Sequence, residues 1–135
     1  MTTLDDSRSD SPIRILLIED NEANRRLMTD YLSYYGFDVF ALEEGTQLAA
    51  TIEQFRPQII LLDLKLPTID GYALLEQLQQ RDDWKQIPTI VVSAYAFQRD
   101  QQRALDLGAC RYLVKPIRLS QLTEVIREEL AKSSQ

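Results

Sequence analysis

The sequence predicts a doubly wound α/β domain in which a five-stranded parallel sheet carries helices on both faces. Two observations lead to this prediction: five short apolar runs rich in β-branched residues and leucine, and five segments of helical spacing that alternate with them. Continuous apolar runs are typical of strands buried on both faces. Regular alternation of strand and helix favours βαβ units, whose strands run parallel. The predicted strands span residues 13–18, 39–42, 59–62, 89–92 and 112–114.

The predicted helices follow the strands in turn. The first stops at Gly36 and the fourth at Gly108, because glycine readily takes the left-handed conformation that ends a helix. The second stops before Pro57, which disfavours helical backbone in the preceding residue. Ser120 is a candidate cap at the start of the fifth. The helices are expected over about residues 23–35, 46–55, 72–81, 99–107 and 119–130.

These elements define a single domain, expected over residues 12–131, between a flexible N-terminal tail at 1–11 and a C-terminal tail at 132–135. A chain of 135 residues suits one domain of ordinary size. The polar, acidic start lacks the basic and then apolar profile of a secretory signal, and no segment approaches the roughly 18 apolar residues of a membrane span. A cytoplasmic protein is therefore expected.

Composition excludes several classes of function. The sequence has no histidine, which excludes Ser-His-Asp and Cys-His catalysis, histidine-ligated zinc and a role as phosphohistidine donor. Its one cysteine, Cys110, allows no internal disulfide and no cysteine cluster for a metal. A net charge of −6 makes the chain a poor partner for nucleic acid or anionic membrane, since both reward an excess of Lys and Arg.

Polar residues follow four of the five apolar runs. Glu19 and Asp20 come after the first run, Asp63 after the third, Ser93 after the fourth and Lys115 after the fifth. Because the carboxyl ends of parallel strands lie at one edge of a sheet, where open α/β sheets bind ligands, we expect these side chains to meet in one crevice.

The expected cluster suits a hard divalent cation. Three neighbouring carboxylates repel one another, and a cation removes that conflict. With only oxygen ligands on offer, Mg²⁺ fits best. Magnesium together with a lysine is a recurring arrangement for phosphoryl transfer, in which both neutralise charge on the phosphoryl oxygens. A carboxylate can act as the nucleophile, and Asp63 is the candidate because its strand is expected at the centre of the sheet.

Short motifs surround the polar residues at the strand ends. They are IEDN at 18–21, LDLKLP at 62–67, DG at 70–71, VSA at 92–94, GA at 108–109 and YLVKP at 112–116. With these motifs, in this order and spacing, the chain resembles the response-regulator receiver domain of bacterial two-component signalling, with its CheY-like, flavodoxin-like (βα)5 fold. The match covers about residues 13–131. The stretch EDNEANR at 19–25 also looks like stand-alone receivers of the DivK sort and receivers of hybrid kinases.

The resemblance implies a metal site. Asp20 and Asp63 would ligate Mg²⁺ directly, Glu19 would help through water, and the backbone carbonyl of Lys65 would be a further ligand. Asp63 would accept the phosphoryl group.

The resemblance also implies a switch. Ser93 would hydrogen-bond the phosphoryl group and Lys115 would pair with it. The Lys115–Pro116 bond would be cis. Tyr112 would change orientation as Ser93 moves. Lys65 and the bulky Tyr95 depart from familiar versions of the family and would flank the site.

The function so implied is a phosphorylation switch rather than an enzyme, with at most self-catalysed phosphotransfer and autodephosphorylation. A histidine kinase or histidine phosphotransfer protein would donate the phosphoryl group to Asp63. The face made by the fourth helix, fifth strand and fifth helix would then bind a downstream protein target differently. Whether the domain stands alone or belongs to a longer protein stays open.

The alternative is a Mg²⁺-dependent phosphohydrolase that uses an aspartyl-phosphate intermediate. Hydrolases of the haloacid dehalogenase type need a second acid two residues after the nucleophile, and Lys65 stands there instead. A redox or nucleotide module would need a glycine-rich phosphate loop, and the chain has only four glycines. The net negative charge disfavours a DNA-binding regulator.

Some residues have simpler interpretations. Tyr112 is alternatively a core or rim aromatic, and Cys110 is interpreted as a small packed residue. Asn24 and Arg25 either decorate a helix face or contact a partner. Trp84 is interpreted as part of a surface loop.

Overall fold

The computed structural model describes residues 11–133. All five predicted strands and all five predicted helices are present, which confirms the predicted fold class. The strands are β1 (Arg14–Ile18), β2 (Asp38–Leu42), β3 (Ile59–Leu62), β4 (Thr89–Ser93) and β5 (Arg111–Val114). The helices are α1 (Glu22–Tyr34), α2 (Leu48–Phe55), α3 (Gly71–Leu78), α4 (Gln98–Asp106) and α5 (Leu119–Ser133), and a single helical turn (Asp82–Lys85) lies between α3 and β4.

The sheet is parallel throughout, in the order β2-β1-β3-β4-β5. β3 is therefore the central strand, as predicted for the strand that precedes Asp63. β1, β3 and β4 are almost wholly buried, whereas the edge strand β2 alternates and leaves Phe40 exposed.

Two apolar clusters fill the space on the two faces of the sheet. On β1, Leu16 and Ile18 face α2 and α3, while Ile15 and Leu17 face α1 and α5. Successive strand residues point to opposite faces, so burial of both faces requires a continuous apolar run. This is the physical reason why the runs in the sequence do not alternate.

The interpretation of Trp84 as part of a surface loop is wrong. Trp84 lies in the helical turn, is 7% exposed and packs into the cluster beneath α2 and α3. Its Nε1 donates to Glu53 Oε2 at 3.4 Å, and the Arg81 guanidinium lies 4.8 Å from the ring centroid. The exposed Asp82 and Asp83 beside it are typical of a loop, so the sequence gives no indication that the Trp84 ring is buried.

The predicted C-terminal boundary at 131 falls inside α5, which continues to Ser133. Lys132 Nζ donates to the buried Glu129 carboxylate at 3.0 Å, and Arg111 Nη1 from β5 lies 3.3 Å from the same oxygen. These contacts stabilise the last turn. Residues 1–10 of the predicted N-terminal tail and residues 134 and 135 lie outside the described residues.

Gly71 closes the loop between β3 and α3. Its backbone N donates to Leu64 O at 2.8 Å, and a Cβ at this position would overlap Asp63 O and lie 2.5 Å from Leu64 Cα. We expect Gly71→Ala to lower the free energy of unfolding by about 2 to 3 kcal/mol, because the backbone cannot make room cheaply. Urea denaturation measures this change.

Gly36→Ala is the matched control for that substitution. Gly36 has a φ of 91°, but a Cβ there would meet nothing within 4 Å. Alanine at this position is disfavoured only by the left-handed backbone conformation, so we expect the free energy of unfolding to fall by about 1 kcal/mol. Equal losses of unfolding free energy in the two variants would show that the close approach to Asp63 O and Leu64 Cα does not disfavour alanine at position 71.

Candidate functional site

The five polar residues singled out at the strand ends lie together at the carboxyl edge of the sheet. Glu19, Asp63 and Ser93 are buried, Asp20 is exposed and Lys115 is partly buried. The ammonium of Lys115 binds two of the acids, with its Nζ 2.6 Å from Glu19 Oε1 and 2.9 Å from Asp63 Oδ2. Glu19, Asp63 and Lys115 are the residues that directly follow β1, β3 and β5.

The three carboxylates form a candidate cation site. Glu19, Asp20 and Asp63 each offer an oxygen, and these oxygens lie within 4.8 Å of one another. When all four side chains are ionised, three carboxylates face the single ammonium of Lys115, and the cluster carries excess negative charge. Carboxylate oxygens at this spacing match the donors that Mg²⁺ prefers. Lys65 lies beside them, with its backbone N 3.2 Å from Asp63 Oδ1 and its side chain exposed.

The turn between β1 and α1 holds Glu19 in place. Asn21 N donates to Glu19 Oε2 at 3.0 Å, while the Asn21 side chain accepts from Asn24 N at 2.9 Å and caps α1. Glu19 N in turn donates to Leu42 O at 3.0 Å. An asparagine is favoured at such a cap because its short side chain reaches the free N–H groups of the first turn.

Burial and charge act in opposite directions on this site. Burial raises the pKa of Glu19, and its hydrogen bonds from Lys115 and Asn21 only partly offset that rise. Burial lowers the pKa of Lys115, but its bonds to Glu19 and Asp63 outweigh burial and leave that pKa raised. Lys115 therefore remains an ammonium ion at neutral pH.

Ser93 and Tyr112 are connected through the backbone of Tyr95. Ser93 is fully buried, and its Oγ accepts from Tyr95 N at 3.1 Å. The half-buried Tyr112 donates its hydroxyl to Tyr95 O at 2.7 Å. Burial raises the pKa of Tyr112, so its hydroxyl stays protonated and able to donate. The Lys115–Pro116 bond is cis.

Sequence reasoning left the role of Arg25 open. Its Nη1 donates to Glu19 O at 3.0 Å and to Asp20 O at 3.3 Å. The signal is its position as the fourth residue of α1, since helical side chains lean toward the N-terminus and so cover the turn that precedes the helix.

A largely apolar groove of about 470 Å³ opens beside Lys115. It lies between α1 and the segment that joins β5 to α5. Its lining residues are Asn24, Leu27, Met28, Val92, Ala94, Lys115, Pro116, Ile117 and Leu119. Within residues 11–133, no helix combines the length and apolar character needed to cross a membrane.

Comparison with known proteins agrees with this geometry. Residues 15–127 match the model of the response regulator receiver domain. The polar-differentiation response regulator DivK of Brucella anthropi is 30% identical over 119 residues, which cover 88% of this chain and 97% of that protein. The chain spans about half the length of two other curated relatives, both named as transcriptional regulators.

Solved structures give the same result. A CheY-like response regulator receiver domain protein from Methanospirillum hungatei superimposes with a TM-score of 0.84 at 30% identity, over 92% of this chain and 98% of that one. The receiver domain of a sensor histidine kinase from Pseudomonas aeruginosa superimposes with a TM-score of 0.82 at 29% identity, over 90% of this chain and 99% of that one. That crystal structure has a magnesium ion coordinated in its active site cleft.

Proposed function

The chain belongs to the response regulator receiver domain family of two-component signalling. We therefore propose that Asp63 accepts a phosphoryl group and that the protein changes its binding partners in response. The family is a class of signalling switches rather than enzymes, and its members interact with histidine kinases and downstream targets. The observation that carries the proposal is the contact of Lys115 Nζ with both Glu19 and Asp63, with the Asp20 carboxylate alongside.

Magnesium is the cation we propose for the carboxylate cluster. Glu19, Asp20 and Asp63, together with the backbone carbonyl of Lys65, would hold it. The all-oxygen donor set and the excess negative charge support this assignment. When bound, Mg²⁺ supplies positive charge that neutralises the phosphoryl oxygens during transfer.

The residues of the chain supply the remaining parts of the transfer. A carboxylate oxygen of Asp63 forms the new bond to phosphorus, while the bond between phosphorus and the imidazole nitrogen of the donor breaks and its electron pair leaves with the imidazole. Lys115, already 2.9 Å from Asp63 Oδ2, pairs with the added negative charge.

We propose that the switch passes through Ser93, Tyr95 and Tyr112. A phosphoryl group on Asp63 attracts the Ser93 hydroxyl, which then releases Tyr95 N. Tyr112 loses the fixed position of its acceptor, Tyr95 O, and can reorient. This local event changes the face formed by α4, β5 and α5, where a downstream protein binds. Phe97, at the start of α4, is 68% exposed and suits such a contact.

The donor is a histidine kinase or a histidine phosphotransfer protein, since this chain has no histidine of its own. The apolar groove beside Lys115 supports docking of such a partner next to Asp63. Leu27 is 55% exposed at this groove, and a helix that carries the phosphohistidine would bury it.

Incubation with Mg²⁺ and a small acyl-phosphate donor, followed by intact-mass measurement, tests the proposal. We expect the wild-type protein to gain one phosphoryl group, and to gain far less when EDTA removes the metal. Folded protein that stays unmodified would overturn the proposal. Rapid consumption of the donor without a retained group would favour the phosphohydrolase alternative.

A further inference from the structure

Arg25 binds the backbone that presents two of the three clustered carboxylates. Its Nη1 donates to the carbonyl oxygens of Glu19 and Asp20 at 3.0 and 3.3 Å. The side chain is only 20% exposed, and its bond to Glu19 O is partly buried, whereas its bond to Asp20 O lies at the surface. A charged donor makes each bond stronger than one between neutral groups.

The same side chain approaches Glu43 at 3.8 Å, but that contact is weak. Glu43 is 73% exposed, and a long ion pair in water contributes little. The carbonyl bonds are therefore the principal interaction of Arg25.

Of the two acids whose backbone Arg25 binds, Asp20 has few other contacts. Glu19 is fixed through its N–H and its carboxylate, which contact Leu42 O, Asn21 N and Lys115. Across residues 11–133, the Asp20 carboxylate makes no hydrogen bond or ion pair. The position of that carboxylate is consequently set only by its own side-chain torsions and by the backbone that carries it, and Arg25 binds that backbone directly.

From this geometry we infer that Arg25 is a positioning residue, which fixes the β1–α1 turn so that the carboxylates of Glu19 and Asp20 converge with that of Asp63 on a divalent cation. The inference rests on the proposed Mg²⁺ site. It extends that site by a cationic side chain from α1 that acts through backbone carbonyls and not as a ligand.

Positioning and simple electrostatics predict opposite results. A guanidinium close to a cation site repels the cation, so charge alone predicts tighter Mg²⁺ binding once Arg25 is removed. Loss of positioning predicts weaker binding, because outer partners that orient metal ligands typically contribute 10- to 100-fold to affinity. The sign of the change therefore separates the two roles.

The experiment is calorimetric titration of the full chain with MgCl₂. Arg25→Met keeps the apolar stem but removes the donor, and Arg26→Met is the control with the same change of net charge at an exposed neighbouring position. We expect Arg25→Met to weaken Mg²⁺ binding by roughly 10-fold. Arg26→Met should leave binding unchanged or slightly tighter.

Arg25→Lys completes the set, since it keeps the charge and loses the rigid planar donor. We expect an affinity between those of wild type and Arg25→Met. Thermal unfolding in EDTA verifies that each variant is folded, and Arg25→Lys alone carries the test if Arg25→Met does not fold.

Unchanged or tighter Mg²⁺ binding in a folded Arg25→Met, or wild-type affinity in Arg25→Lys where only that variant folds, would overturn the positioning role and leave the proposed metal site intact. Failure of the wild-type protein to bind Mg²⁺ would instead overturn the metal site, and the role of Arg25 with it.

Discussion

Asp63→Asn is expected to abolish phosphoryl uptake from an acyl-phosphate donor. The amide is nearly the same size as the carboxylate and keeps an oxygen that can accept from Lys65 N, which lies 3.2 Å from Asp63 Oδ1. It lacks the negative charge and the nucleophilic oxygen that attack on phosphorus requires. Intact-mass measurement after incubation with Mg²⁺ and the donor should therefore show no added group.

Asp30→Asn is the matched control for this loss. Asp30 is exposed on α1, and its replacement removes the same charge. We expect this variant to gain one phosphoryl group like the wild type. A full mass gain in folded Asp63→Asn would place the acceptor on another residue and contradict the assignment.

The expected loss depends on a residue that the sequence alone could locate. The run before Asp63 is continuous and apolar, which places it on a buried strand, and parallel topology brings its end to the same edge as Glu19 and Lys115. The structure gives the contact itself, with Lys115 between the two acids. Periodicity and topology predict which residues meet, because both depend on average backbone geometry.

Contacts that depend on the path of a single loop could not be predicted in the same way. Trp84 looked like a loop residue, since nothing local distinguishes a ring that packs inward from one that stays in solvent. The role of Arg25 depends on two backbone carbonyls, which every residue has and which leave no signal in a pattern of residue types. The hydrogen bonds of Ser93 Oγ and the Tyr112 hydroxyl to the backbone of Tyr95 leave no such signal either, although the family resemblance already links Ser93 with Tyr112.

Asp20 gives the second large effect, on Mg²⁺ affinity. Asp20→Asn replaces one of the three clustered carboxylates with an amide, and we expect Mg²⁺ to bind roughly 100-fold more weakly, because loss of a ligand costs at least as much as loss of the groups that orient it. Asp20 is exposed, and within the described part of the chain its carboxylate has no hydrogen bond to lose. Titration calorimetry with MgCl₂ measures the change.

The stability of the same variant gives an independent check. Without metal, the Asp20 carboxylate adds to the repulsion among the clustered acids, so removing its charge should raise the unfolding temperature in EDTA. With saturating Mg²⁺ the order should reverse, because bound metal stabilises the wild-type fold and has little affinity for the variant. Asp30→Asn removes an equal charge away from the cluster and should show neither effect. If the unfolding temperature of Asp20→Asn matches that of Asp30→Asn both in EDTA and in Mg²⁺, the three carboxylates do not share a cation, and the proposed magnesium site is wrong.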